Sequence, residues 1–402
     1  MKRVYHDLIA RHLTQFRQMV FLMGPRQVGK TTLSFSFLNK SENGYYYTWD
    51  RLDHRLIMLD GPEAIAKQSG LANVTELKPI LVFDEIHKYK RWKLLLKGFF
   101  DTFEKRVKII VTGSAKLDIY KKGGDSLMGR YFYYRIHPLS VAEIVDTTLI
   151  ESDIRLSPKQ INKVDWEALI SHGGFPEPFT QRNFDFTRRW QKTRKDQLIK
   201  EDIRDETKIQ EIALIEILAE LLKHQAAQSM EYASLAKKIG ASIETVKRWI
   251  EVLKSFYYCF SLQPWSKNVT RSLIKEPKIY LLDWSIVEEE GHRLENLMAC
   301  HLLKAIHFWN DRGIGDYNLY YLRNKEKQEV DFVVVKNGSP WFLVEVKTSD
   351  TNLSPSLNYF KQQLDCPYAF QVVFNLPYIN KNCFENEGTY VVPAMTFLSQ
   401  LV

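Results

Sequence analysis

The segment Gly24-Pro25-Arg26-Gln27-Val28-Gly29-Lys30-Thr31 sets two glycines ahead of a lysine and a hydroxyl. It lies between an apolar run, Met19 to Met23, and a helix-like run, Thr31 to Leu38. Such a loop can hold a string of phosphates. The glycines let the backbone curl until successive N–H groups point inward at an anion. A helix opening at its end adds free N–H groups and the positive end of its dipole. Lys30 would reach the β- and γ-phosphates, and Thr31 would ligate Mg²⁺. The nucleotide-binding set is Gly24, Pro25, Arg26, Gln27, Val28, Gly29, Lys30, Thr31 and Thr32, joined by Ser114 further on.

A phosphate loop needs a second half. Ile80-Leu81-Val82-Phe83-Asp84-Glu85 is an apolar strand that ends in two carboxylates. Asp84 would hold Mg²⁺, commonly through water. Glu85 would orient and polarise the attacking water as a general base. The run Val107–Thr112 leads into Gly113-Ser114, so Ser114 or Thr112 could sense the γ-phosphate; capping a turn is the ordinary use of such hydroxyls. Arg130, in Met128-Gly129-Arg130, could stabilise transition-state charge in its own subunit or in a neighbour. An ordinary ion-paired arginine fits that position equally well.

A second constellation lies near the C-terminus. Glu329-Val330-Asp331-Phe332 precedes Phe342-Leu343-Val344-Glu345-Val346-Lys347. Residues two apart on a strand face one side, so Glu345 and Lys347 project together and Asp331 can join them from the neighbouring strand. Two carboxylates can hold one or two Mg²⁺ ions, and a lysine can activate water against a phosphodiester. The pattern resembles the D-x(n)-E-x-K signature of restriction-endonuclease-like nucleases. Glu295, on the preceding helix, resembles the extra acidic residue of such folds.

Between the two, Tyr232–Ile239, Gly240-Ala241-Ser242 and Ile243–Leu253 read as helix, turn, helix, with Ser242 placed to cap the second helix. The runs Tyr257–Leu262 and Lys278–Leu282 could form a wing. Lys247 and Arg248 would be the DNA-binding pair, beside Glu244 and Thr245. Glu244 and Glu251 weaken phosphate contact, and packing or oligomerisation is the competing use of such a module.

These residues need elements to position them. Short apolar runs at Met19–Met23, Tyr45–Trp49, Ile80–Phe83, Val107–Thr112 and Tyr131–Ile136 alternate with helical stretches such as Thr31–Asn39 and Trp92–Phe103. Alternating β and α implies a parallel sheet covered on both faces. The pattern turns helical from about 140, and strands return at Leu319–Leu322, Val330–Val335 and Trp341–Val346. The fold class expected is therefore α/β, with a helical and winged-helix-like region followed by a second, smaller α/β module.

The 402 residues suffice for two to four domains, and the net charge of +8 is compatible with nucleic acid without requiring it. No apolar run approaches a bilayer span, and the first ten residues lack an apolar signal core. The four cysteines include no C-x-x-C pair, which argues against a disulfide frame or a zinc site. A cytoplasmic protein with no membrane partner is expected.

The segments G-P-R-Q-V-G-K-T-T-L, V-F-D-E-I-H-K, T-G-S, G-R-Y-F-Y-Y-R-I-H-P-L-S and G-G-F-P-E-P-F together resemble the prokaryotic AAA-like P-loop ATPases that carry a C-terminal domain of unknown function. These are loosely related to the archaeal ATPase family. One small departure is Ala115, where that family often has a second serine. The resemblance implies ATP and Mg as cofactors. It implies an AAA-type ATPase domain at 1–150, a helical lid or linker at 151–213, a winged-helix-like module at 214–283 and a restriction-endonuclease-like domain at 284–402. The function expected is ATP hydrolysis coupled to duplex DNA binding or processing, with a Mg-dependent nuclease module. The alternative is an ATP-dependent conformational switch that binds a protein partner without cleaving DNA. Whether the chain forms a homo-oligomer stays open.

Overall fold

Strand β1, Met19–Met23, is apolar on both faces, and it is buried on both faces by its neighbours. It pairs in parallel with β4 (Lys108–Thr112) on one side and β5 (Tyr131–Arg135) on the other. β2 (Gly44–Thr48) and β3 (Ile80–Asp84) complete the sheet, in the order β2-β3-β4-β1-β5. The computed structural model describes residues 1–39, 44–71, 78–113, 127–207, 209–266 and 276–402. It divides into two units, Met1–His137 and Pro138–Val402.

The first unit is this parallel sheet with helices on both faces, as alternating β and α runs require. Phe21, Phe83 and Val111 turn to one face. There they form a core with Leu96, Phe99 and Phe103 of the helix Trp92–Phe103. Val20, Leu22, Val82 and Ile110 alternate to the other face. Two helices lie against strands of this sheet: α1 (Tyr5–Gln15) against β1, and α2 (Lys30–Leu38) against β2, β3 and β4. The five strands fall within a residue or two of the runs read from the sequence.

The second unit begins with helices. Lys163–His172 is capped by Asn162, Phe184–Asp196 by Asn183, and Ile243–Ser255 by Ser242, each side chain accepting a first-turn N–H. Helices Ile212–His224, Tyr232–Ile239 and Ile243–Ser255 precede an antiparallel pair, β6 (Cys259–Leu262) and β7 (Lys278–Leu281). Gly240 ends the middle helix with φ of 76°, a left-handed turn suited to glycine.

A 23-residue helix, Glu290–Arg312, then leads into a five-stranded sheet. Its strands are β8 (Tyr317–Arg323), β9 (Glu329–Lys336), β10 (Ser339–Lys347), β11 (Tyr368–Val373) and β12 (Gly388–Pro393), in the order β12-β11-β10-β9-β8. β8, β9 and β10 run antiparallel, while β10, β11 and β12 run parallel. Helix Pro355–Leu364 joins β10 to β11 and buries Leu357 and Phe360 against Val333, Leu343 and Ala369.

The motif Gly173-Gly174-Phe175 has a packing role. A Cβ on Gly174 would lie 2.5 Å from the Trp284 ring and 2.6 Å from the Leu139 carbonyl oxygen. Phe175 sits under the buried guanidinium of Arg194, 4.2 Å from ring centroid to Cζ. All four cysteines are buried and unpaired. No helix among the described residues is long and apolar enough to cross a membrane.

Candidate functional site

β1 delivers the chain to Gly24 at the C-terminal edge of the first sheet. Gly24 has φ of 147°, and a Cβ there would meet the Ile136 carbonyl oxygen at 2.3 Å, so this position demands glycine. Gln27 (φ 62°) and Gly29 (φ 95°) carry the loop round through left-handed backbone. Helix α2 then opens at Lys30. Lys30 is 7% exposed, and its ammonium donates to the carbonyls of Gly24 (2.9 Å) and Pro25 (2.7 Å). It is held over its own loop, at the open end of the helix, where anion-binding N–H groups gather.

β3 ends beside the loop. Asp84 is 7% exposed, and three hydroxyls converge on its carboxylate. Thr112 donates to Oδ1, Tyr46 donates to Oδ2, and Thr31 Oγ1 lies 3.4 Å from Oδ2. Thr31 and Asp84 therefore form an oxygen pair of the kind that suits Mg²⁺. The hydroxyl of Thr112, read from the sequence as one of two γ-phosphate sensors, is engaged on Asp84. Ser114, the other, lies outside the described residues.

Glu85 takes left-handed backbone (φ 53°), which turns the chain out of the sheet just after the strand. Its N–H donates to the Thr112 carbonyl. Its Oε2 is buried, has no hydrogen-bond partner, and stands 3.6 Å from His87 Nε2 and 3.7 Å from Lys88 Nζ. A carboxylate oxygen left without a bound hydrogen is suited to accept one from water. The residues gathered here fit a nucleotide with Mg²⁺.

Arg130 departs from the reading as an arginine acting within its own subunit. Its carbonyl accepts from Met19 N–H at the start of β1, whereas the phosphate loop follows the end of that strand. The five residues of β1 separate the two ends by roughly 16 Å. Arg130 forms a two-pronged ion pair with Asp101 instead (2.7 and 2.9 Å). That pairing is the ordinary ion-paired arginine that its sequence position equally allowed.

Sequence reasoning missed Arg3. Its buried guanidinium donates to the carbonyls of Val28 (2.7 Å) and His137 (2.6 Å), bracing the phosphate loop from behind. It also missed Tyr46, one of three consecutive tyrosines on β2, because alternation alone could not say which one meets Asp84.

In the second unit, β9 and β10 do bring Asp331, Glu345 and Lys347 into one neighbourhood. Asp331 Oδ2 accepts from Val346 N–H (2.9 Å), and Lys347 donates to Glu345 Oε1 (2.9 Å). Burial, with Asp331 nearby, pushes Glu345 up to about 7 and Glu295 up to about 8. The place among the carboxylates, however, is taken by a side chain. Lys278 is 4% exposed, and its ammonium lies 3.1 Å from Glu295, 2.6 Å from Glu329 and 3.6 Å from Asp331. Among the described residues no group of three His, Cys, Asp or Glu is gathered to hold a metal ion. The expectation of Mg²⁺ at Asp331, Glu345 and Glu295 does not fit this arrangement.

Lys247 and Arg248 lie exposed on helix Ile243–Ser255, with Glu244 and Glu251 exposed on the same helix. The Lys247 ammonium stands 5.2 Å from the Tyr232 ring centroid.

Comparison with known proteins agrees with the first sheet. An AAA domain matches residues 16–145, and two domains of unknown function, DUF8612 and DUF4143, match 163–290 and 290–397. The chain carries an AAA domain at its N-terminus, followed by domains of unknown function. It is 22% identical to an uncharacterized protein of Mycobacterium tuberculosis over 84% of this chain and 72% of that one. It is also 22% identical to an uncharacterized protein of Methanocaldococcus jannaschii over 86% of this chain and 80% of that one. Among solved structures, AMPPCP-bound DnaA from Aquifex aeolicus overlaps at 14% identity and a TM-score of 0.32, over 62% of this chain and 86% of that one. C. elegans PCH-2 overlaps at 14% identity and a TM-score of 0.27, over 42% of this chain and 44% of that one.

Proposed function

We propose that the first unit of this AAA-like protein binds ATP with Mg²⁺ and hydrolyses it. The observation that carries this is the approach of Thr31, at the start of α2, to Asp84, at the end of β3. Backbone N–H groups of Gly24–Lys30 would cradle the phosphates, and the Lys30 ammonium would move from its loop carbonyls to phosphate oxygens. Mg²⁺, when bound, supplies positive charge against the β- and γ-phosphates. Thr31 and Asp84 would hold it, the latter through water. Glu85 would accept a proton from the attacking water. Hydrolysis measured with Mg²⁺ on the intact chain and on Glu85→Gln tests this. General-base catalysis is worth about 10²- to 10⁴-fold, so the variant should lose that much turnover while still binding nucleotide. Equal turnover in the two proteins would overturn the role of Glu85. No turnover in either would remove the activity itself.

Within that reading, duplex DNA is the partner we propose for the second unit. Three helices followed by the β6–β7 hairpin support a winged-helix reading, and Lys247 and Arg248 are exposed on its second motif helix. The strand order of the last sheet supports a restriction-endonuclease-like reading. The Lys278 ammonium among its carboxylates favours a protein that binds without cutting. Duplex binding across a salt series, with the double variant Lys247→Ala/Arg248→Ala, tests the DNA contact. Two lost phosphate contacts should lower the slope of log affinity on log salt by about 2. An unchanged slope would point to a protein partner instead.

A further inference from the structure

The carboxylate cluster of the last sheet is neutralised from within the chain. Lys278 opens β7, and its backbone is pinned on two sides. It pairs with Leu262 on β6 and bridges to Ser229 on the other side. The flanking bonds from Met230 N–H to the Pro277 carbonyl and from Ile279 N–H to the Gln228 carbonyl fix both neighbours. The side chain leaves this fixed point and ends among Glu295, Glu329 and Asp331, with its ammonium 5.7 Å from the Tyr321 ring centroid.

Each of those carboxylates is already satisfied by protein groups. Glu295 Oε1 accepts from Lys278 and from the Tyr280 hydroxyl (2.7 Å). Asp331 Oδ2 accepts from a backbone N–H. Glu329 faces both Lys278 and Arg323. A buried ammonium with three carboxylate neighbours is strongly held, because moving it would leave buried carboxyl groups and a buried charge without their partners. A divalent ion entering the cluster would have to displace that ammonium from its strand-anchored position or bind against it.

We propose that Lys278 is a built-in counter-cation standing in the place of a divalent metal, so that this cluster takes up no Mg²⁺ or Mn²⁺ while the lysine is present. Removing the ammonium opens the site, with the Asp331 and Glu295 carboxylates that now face it as its oxygens. This inference is independent of ATP hydrolysis in the first unit.

The test is Mn²⁺ binding to the full chain without nucleotide, followed by the loss of the free-ion electron paramagnetic resonance signal. Wild type and Asp331→Asn should bind the same number of Mn²⁺ ions. Lys278→Met should gain one ion, and the gain should vanish in Lys278→Met/Asp331→Asn. A wild-type chain that loses an ion on Asp331→Asn overturns the proposal, since metal and lysine would then coexist. A folded Lys278→Met that gains no ion overturns it as well. Should Lys278→Met fail to fold, Lys278→Met/Glu329→Gln removes one charge of each sign and carries the same expected gain. The wild-type comparison with Asp331→Asn decides by itself whether metal is excluded.

Discussion

Thr31 Oγ1 lies 3.4 Å from Asp84 Oδ2, although the two residues are 53 positions apart in the chain. Two further hydroxyls, from Tyr46 and Thr112, fix the direction of the Asp84 carboxylate. Groups that orient a metal's ligands typically cost 10- to 100-fold in metal affinity when removed. Tyr46→Phe and Thr112→Val should therefore each raise the Mg²⁺ concentration for half-maximal ATP hydrolysis by roughly 10-fold or more. A Mg²⁺ titration of turnover at fixed ATP checks this. Unchanged curves in both variants would mean that neither hydroxyl positions Asp84 for the metal.

Arg3 should matter to binding more than to chemistry. It touches the phosphate loop through the Val28 carbonyl and holds the His137 carbonyl with its other nitrogen. Lysine is a point charge and cannot span two acceptors as a planar guanidinium does. Arg3→Lys and Arg3→Ala should both raise KM for ATP by roughly 10-fold, one charge-assisted hydrogen bond being worth about 1.5–3 kcal/mol, with kcat nearly unchanged. Steady-state kinetics on the two variants separates the cases. A fall in kcat at constant KM would place Arg3 in the chemical step instead.

The phosphate loop and its acidic strand were legible because their chemistry is local. Gly24, Gly29, Lys30 and Thr31 act within one turn of chain, and Asp84 and Glu85 end an apolar run that can only be a strand. Strand order was not local, and it decided Arg130. Lying near the loop in sequence order of motifs, Arg130 precedes β5, and parallel pairing with β1 carries it to the far edge. Asp331, Glu345 and Lys347 were legible by strand alternation. Lys278 was not, because only the packing of a hairpin against the sheet brings it to them. Nothing in its neighbours, Pro277 and Ile279, marks it.

Gly174 offers a test of the packing beneath the helical region. An added methyl would meet the Trp284 ring at 2.5 Å and the Leu139 carbonyl oxygen at 2.6 Å. The Leu139 N–H donates to the Gly174 carbonyl (2.6 Å), and the Trp284 ring is anchored by its own bond to the Leu169 carbonyl (2.8 Å). Neither neighbour is free to retreat. Overpacking of a tight core costs about 1–3 kcal/mol or more. Gly174→Ala should lower the urea midpoint for unfolding of the second unit, followed by tryptophan fluorescence. Gly313→Ala, at a left-handed position with open space around it, serves as a comparison for backbone strain alone. A Gly174→Ala midpoint equal to wild type would show that the Trp284 ring can shift.

His301 should make the second unit acid-sensitive. Its Nε2 accepts from Val141 N–H (3.1 Å) and its Nδ1 donates to the Leu297 carbonyl (2.8 Å), an arrangement only the neutral ring can make. Burial pushes its pKa down to about 3, the bond to Leu297 opposing and the Lys304 charge adding to the fall. Above about pH 6.5 neither the folded nor the unfolded ring binds a proton, and stability does not depend on this group. As pH falls below that value the unfolded chain takes up a proton that the folded chain refuses. Stability is then lost at up to about 1.4 kcal/mol per pH unit until about pH 3. In His301→Gln the amide can keep both bonds without titrating. Urea midpoints between pH 7 and pH 4 should therefore fall less steeply in the variant than in wild type, whatever their offset at pH 7. Parallel curves would mean that His301 takes its proton in the folded protein, and that Val141 gives up its bond to let it.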